Sequence, residues 1–125
     1  MKTSTVMLGL LLACQVCLGK AGPEIPRPKQ SVMDAVTLAT KQFLGEKNLS
    51  KSEAEWRQSF IVIAVAYDTP YDRQTRGKEP QERAKDAPDE VWSWFVTFVH
   101  PKANDKVFTL RVMPDGTVVE FERSI

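Results

Sequence analysis

The aromatic residues are the part of this chain most suited to binding chemistry. Trp92 and Trp94 alternate along a β-forming run, so both point to one side of a strand. Tyr67 and Tyr71 border the charged stretch that precedes this run. Two interpretations stay open for these four side chains. They fill a core, or they form a surface that binds a protein, peptide or glycan.

Catalytic and metal-binding candidates are few. His100 is the only histidine, and it lies at a strand end before Pro101. A general base needs an oriented partner, and a zinc site needs several nitrogen or sulfur ligands. Asp68 and Asp72 are four residues apart, but no calcium-loop pattern surrounds them. The sequence therefore predicts a non-catalytic protein with no metal and no cofactor.

The charge balance narrows the classes of partner. The chain has 17 basic and 16 acidic residues, and Lys2 is the only charged residue in 1–19. Removal of that stretch leaves 16 basic against 16 acidic residues. Proteins that bind nucleic acid, or that are attracted to membranes by polybasic segments, usually carry a basic excess. We therefore expect no nucleic-acid partner, and membrane contact only through a lipid anchor.

The first 19 residues are typical of an export signal. Lys2 precedes a short apolar run, VMLGLLLA, and a polar, proline-rich stretch follows. Two cleavage sites compete. Cleavage after Gly19 gives a freely secreted protein with signal 1–19. Leu11-Leu12-Ala13-Cys14 resembles a lipobox, which gives signal 1–13, a lipidated Cys14, and a periplasmic or outer-membrane lipoprotein.

A linker and a single domain follow the leader. Residues 20–30 (KAGPEIPRPKQ) contain three prolines, which favour an extended polyproline II spacer. The rest of the chain, 31–125, is long enough for one modest core. Ser31-x-x-Asp34 resembles a capping box, and the apolar spacing after it predicts a helix over 32–44. Residues 46–59 are ambiguous, and a short helix capped by Ser50-x-x-Glu53 and running through Trp56 is an option there.

The next stretches predict a strand and a long loop. Residues 60–67 (FIVIAVAY) are apolar and rich in Ile and Val, which favours a central strand covered on both faces, with a buried helix as the alternative. Residues 68–90 contain 12 charged residues and three prolines beside one glycine, which predicts a long loop. A helical turn is an option at 81–85. Such a loop is either functional or a mobile connector.

Three β-forming runs complete the domain. They cover 91–99, 106–113 and 117–123, and Pro114-Asp115-Gly116 predicts the tight turn between the last two. A helix followed by antiparallel strands indicates the α+β class, with one N-terminal helix on a four-stranded antiparallel sheet.

Alternation predicts which side chains share a face of the last two strands. Phe108, Leu110 and Val112 fall on one side, where we expect Val119 and Phe121 to join them. Glu120 and Glu122 then face water. In the preceding strand, Trp92 and Trp94 share a side with Val96, Phe98 and His100, and the opposite side carries Val91, Phe95 and Val99.

The element order and three segments, "WFVTF", "FTLRV" and "PDGTVVEF", resemble PepSY-type and cystatin-like domains. The resemblance implies a compact α+β fold in an exported bacterial protein that binds or inhibits other proteins. The chain has no cystatin-type Gln-Val-Gly loop, so inhibition of cysteine peptidases is not implied. An exported binding module is the favoured function. The alternative is a small enzyme of cystatin-like fold with an acid–base pocket.

Overall fold

The structure is a computed structural model that describes residues 24–79 and 88–125. Four strands form one antiparallel sheet in the order β1-β2-β3-β4, and the first helix packs on one face of it. This arrangement confirms the predicted α+β class. The elements are α1 (Val32–Leu44), α2 (Lys51–Arg57), β1 (Ile61–Asp68), α3 (Pro70–Thr75), β2 (Ser93–His100), β3 (Ala103–Val112) and β4 (Val118–Ser124).

Helix α1 has the bounds that the sequence predicts. The Ser31 side chain accepts a hydrogen bond from the Asp34 N–H at 3.1 Å, which satisfies a free donor of the first turn. Its buried stripe is Ala35, Ala39 and Phe43, spaced four residues apart. The two alanines leave room for the helix to lie close on the sheet.

A buried arginine of helix α2 links this helix to the end of α1 through a hydrogen bond and an ion pair. Arg57 donates a hydrogen bond to the Phe43 carbonyl at 3.0 Å and pairs with Glu46 at 2.6 Å. Its guanidinium also lies 4.8 Å from the ring centres of both Phe43 and Phe108. One side chain thus bonds the last turn of α1 and packs on the core rings. Ser50 caps this helix, as predicted, by accepting from the Glu53 N–H.

The main core lies between α1 and the middle strands. Phe43 stacks on Phe98 with ring centres 4.4 Å apart and meets Phe108 edge-on at 5.1 Å. The buried apolar residues of this core are Ala35, Ala39, Phe43, Val96, Phe98, Phe108, Leu110 and Val112. The side of β2 that carries Trp94, Val96 and Phe98 is therefore the side that faces the helix.

The opposite face of the sheet is covered in part by α3. Phe95 is buried there, with the Phe121 ring at 4.9 Å and the Arg73 guanidinium of α3 at 4.9 Å. Thr69 caps α3 by accepting from the Asp72 N–H. The prediction of a loop through all of 68–90 was therefore wrong for Pro70–Thr75. The helical turn considered at 81–85 lies outside the described residues.

Strand β1 is an edge strand, so the prediction of a central strand at 60–67 was wrong. It pairs with β2 alone in the described sheet, and α1 lies over β2 and β3 instead. Its first four residues are exposed. An apolar run indicates a β-strand. Its position in the sheet depends on which other strands pair with it, and the residues of the run alone do not determine that.

Val119 and Glu120 of strand β4 lie on the opposite faces of the sheet from those predicted. Val119 lies opposite Arg111 and Glu120 lies opposite Leu110, so Glu120 takes the helix side. The register then shifts at Phe121, which packs on Phe95 instead. Val119 and Phe121 therefore do not join the core of Phe108, Leu110 and Val112.

The predicted turn between β3 and β4 is confirmed. Gly116 has φ +90°, which a glycine adopts without a steric penalty. The Asp115 carboxylate accepts from the Thr117 N–H at 2.9 Å, and this bond lowers the pKa of Asp115. The turn places Val118 opposite Val112 and so sets the register of β4.

Candidate functional site

Three of the four predicted aromatic residues come together on the helix side of the sheet. Tyr67 of β1 lies opposite Trp94 of β2, with ring centres 5.2 Å apart. Trp92, just before β2, lies 5.3 Å from Tyr67. All three are half-buried. We call Tyr67, Trp92 and Trp94 the aromatic shelf.

Residues 24–30, the described part of the proline-rich stretch, are bonded to this shelf. The Tyr67 hydroxyl donates to the Pro26 carbonyl at 2.9 Å, and the Trp94 indole Nε1 donates to the Gln30 carbonyl at 2.9 Å. The Gln30 side-chain amide donates in turn to the carbonyls of Met113 and Pro114, at 2.9 and 3.0 Å. We call residues 24–30 the docked segment.

The docked segment is the part of the predicted linker 20–30 that the structure describes, and it is hydrogen-bonded to the domain. Proline content disfavours a helix, and the described residues 24–30 form neither helix nor strand. It does not indicate what that backbone packs against. A signal was nevertheless present, because aromatic side chains with exposed donors are the usual partners of proline-rich peptides. Pro26 and Gln30 are the residues of the candidate site that the sequence analysis missed.

Two cavities, each of about 270 Å³, flank Trp92 and Pro26. The first is lined by residues that include Tyr67, Arg27 and Lys29. The second is lined by Glu24, Thr69, Asp72 and Glu90 in addition to Trp92 and Pro26. Their size is just below that of typical small-ligand pockets, which fits one side chain of a bound peptide.

Burial raises the pKa of Tyr67 above its ordinary value. Removal from water disfavours the charged phenolate, so the neutral hydroxyl persists as a donor at neutral pH. The indole N–H of Trp94 does not titrate in this range. Both donors of the aromatic shelf therefore stay available to peptide carbonyls across the physiological pH range.

Trp94 has contacts of both kinds that the sequence left open, packing in the core and contact with a bound segment. Its ring packs against the main core, while its indole N–H reaches the docked segment. Trp92 instead lines both cavities. Tyr71, the fourth predicted residue, lies half-buried on α3, and its main-chain N–H donates to the Asp89 carbonyl. Within the described residues it lines neither cavity.

The other candidates have structural contacts. The His100 Nδ1 accepts from the Lys102 N–H at 3.2 Å, and its ring packs on Trp56 and Phe60. Asp68 is buried and pairs with Arg76 at 2.7 Å. In the parts of the chain that the structure describes, no group of three His, Cys, Asp or Glu side chains could hold a metal ion.

The predicted leader 1–19, with Cys14, lies outside the described residues. Within 24–79 and 88–125, none of the helices has the length and apolar character needed to cross a membrane. The small enzyme with an acid–base pocket stays an untested prediction. Comparisons with protein-family models, curated proteins and solved structures gave no match for this chain, so membership of a PepSY-type or cystatin-like family also stays a prediction.

Proposed function

We propose that this protein is an exported, non-catalytic module that binds an extended, proline-containing peptide on its aromatic shelf. One observation carries the proposal. The shelf already holds such a peptide, the docked segment, through hydrogen bonds from Tyr67 and Trp94 to main-chain carbonyls. A proline-containing peptide from another protein would occupy the same position.

The chemistry of the shelf matches this class of ligand. Proline has no main-chain N–H, so a proline-rich peptide presents carbonyl acceptors and apolar rings. Tyr67 and Trp94 supply donors, and the faces of three aromatic rings supply apolar surface. Because the hydrogen bonds go to main-chain atoms, they fix an extended backbone without requiring one sequence. The two cavities then select side chains.

Export is the second part of the proposal, and it is supported by the composition of 1–19. Intact-mass measurement of the protein recovered from its native host tests it. A mass with a diacylglyceryl group on Cys14 supports a lipoprotein, and a start at Lys20 supports free secretion. A chain that keeps Met1 and the whole leader contradicts export.

The binding proposal is tested by calorimetric titration with a synthetic peptide of residues 20–30. We expect saturable binding, and loss of binding when the three prolines of the peptide are replaced by alanine. Because Tyr67 also bonds the docked segment, its effect is measured on a chain that starts at Ser31, where Tyr67→Phe should weaken binding by about fivefold, since it removes one hydrogen bond worth about 1 kcal/mol. Gln58→Ala, at an exposed position at the end of α2, is the control and should leave binding unchanged. Equal binding of the proline-free peptide would contradict the proposal.

A further inference from the structure

Among the residues that the structure describes, no strand pairs with the outer edge of β1, and this edge is apolar. From Phe60 to Tyr67 the chain has no charged residue and no proline. Ile61, Val62 and Ile63 are 50%, 37% and 56% exposed. The register with β2 shifts between Val62 and Ala64, so Ile63 has no partner on that strand. Strand edges of this kind pair readily with other strands.

The opposite edge of the same sheet differs. Strand β4 carries Glu120, Glu122 and Arg123 among its seven residues, and all three are exposed. Charged side chains on an edge strand disfavour pairing with another chain, because pairing would remove them from water. One edge is therefore protected by charge, and the β1 edge is not.

We propose that β1 is a self-association surface, on which a second copy of this chain pairs antiparallel to form a continuous eight-stranded sheet. A second copy brings the same run 60–67, which has no charged residue, so pairing along this run buries apolar side chains on both sides; Asp68, at the end of β1, is already paired with Arg76. Alternate residues of a strand direct their main-chain groups to each side, so the outward groups of β1 are available for this pairing.

The charge difference between the edges also limits the assembly to two copies. Once β1 pairs with β1, the only strand edges left in the described sheet are the two β4 strands. Those edges carry the charged residues, so they do not recruit a third copy. The pairing is isologous and closes as a two-fold dimer.

The expected dimer is weak. Pairing of two eight-residue strands buries on the order of 1,000 Å² in total, which is at the low end for specific interfaces. We therefore expect monomers at low protein concentration and dimers at high concentration. The surface shares Tyr67 with the aromatic shelf, whereas Trp92 and Trp94 lie outside β1.

Sedimentation velocity on the purified protein over a wide range of concentrations tests the proposal. We expect a reversible monomer–dimer equilibrium. Ile63→Lys should raise the dimer dissociation constant about tenfold or more, because it introduces a charge in each paired strand. Val119→Lys on the charged β4 edge is the matched control, since Val119 is 43% exposed, and it should leave the equilibrium unchanged. Circular dichroism establishes that both variants are folded.

Hydrogen exchange of the unmodified protein gives a readout that needs no variant. We expect amides of β1 to gain protection as the concentration rises, while those of β4 do not. A protein that stays monomeric at every concentration overturns the proposal, whatever other strand the β1 edge accepts. A dimer that Ile63→Lys leaves intact, or whose concentration-dependent protection falls outside β1, overturns it as well.

Discussion

The substitution Gln30→Ala should open the aromatic shelf to external peptide without altering the shelf itself. The Gln30 side chain holds the docked segment to the Met113 and Pro114 carbonyls, whereas its own carbonyl accepts from Trp94. Alanine removes the two side-chain bonds and keeps the main-chain acceptor. The change therefore weakens only the binding of the docked segment to the rest of the chain.

The size of the effect follows from the two bonds. One is partly buried and one is exposed, so together they contribute about 1 kcal/mol, less than two buried bonds would. A loss of 1 kcal/mol shifts the docked–released equilibrium about fivefold toward release. A competing peptide binds only the released form, so its apparent affinity scales with that population. We expect the apparent dissociation constant to fall by up to about fivefold.

Calorimetric titration of both proteins with the peptide of residues 20–30 measures this change. Gln58→Ala is the matched control, because Gln58 is exposed at the end of α2, and it should bind like the unmodified protein. Unchanged or weaker binding by Gln30→Ala would refute the reasoning. Either result would mean that the docked segment does not compete for the shelf.

Three further predictions concern stability. Trp94→Ser should lower the free energy of unfolding by about 3 kcal/mol in chemical denaturation, because Trp94 packs against the core; a cost below about 1 kcal/mol would place it outside the core. Arg57→Ala should cost about 2–3 kcal/mol, since it removes the bonds to Glu46 and the end of α1, and thermal melting beside the exposed control Lys41→Ala tests this. The pKa of Asp115 is lowered in the folded protein. Its contribution to the free energy of unfolding is therefore present above the ordinary aspartate pKa and is lost as the pH falls through the lower pKa of the folded state. NMR titration against Asp115→Ser checks the direction, and an ordinary pKa would contradict it.

The parts of the fold that the sequence predicts correctly are those set by interactions between residues close together in the chain. Ser31 and the apolar spacing after it define α1, and Pro114-Asp115-Gly116 defines the last turn. Each signal acts within a few residues, so the sequence alone reveals it. The same holds for the short helix that begins after Ser50.

The wrong predictions concern long-range pairing. Whether β1 is central or at an edge depends on which strands lie beside it, and its own residues do not determine that. Which face of the sheet each β4 side chain takes depends on the register with β3, and the turn sets that register. The bulge at Phe121 then shifts the alternation of side chains between the two faces. Strict alternation therefore assigned Val119 and Phe121 to the wrong side.

Three of the four aromatic residues named from the sequence lie together in the structure. Tyr67, Trp92 and Trp94 follow from residue type and spacing, and they meet because β1 and β2 pair in the observed register. The docked segment did not follow, because its bonds join residues far apart in sequence. The Gln30 side chain, for example, bonds to Met113, 83 residues away.

The connections between strands also have a consequence for the order of folding. Strands β2, β3 and β4 are joined by two and five residues, whereas 24 residues separate β1 from β2. Short connections close at lower entropic cost, so the meander of β2 to β4 should form before β1 joins it. Native-state hydrogen exchange should then show β1 opening at a lower free energy than β3. The strand that is added last is also the one whose outer edge stays free.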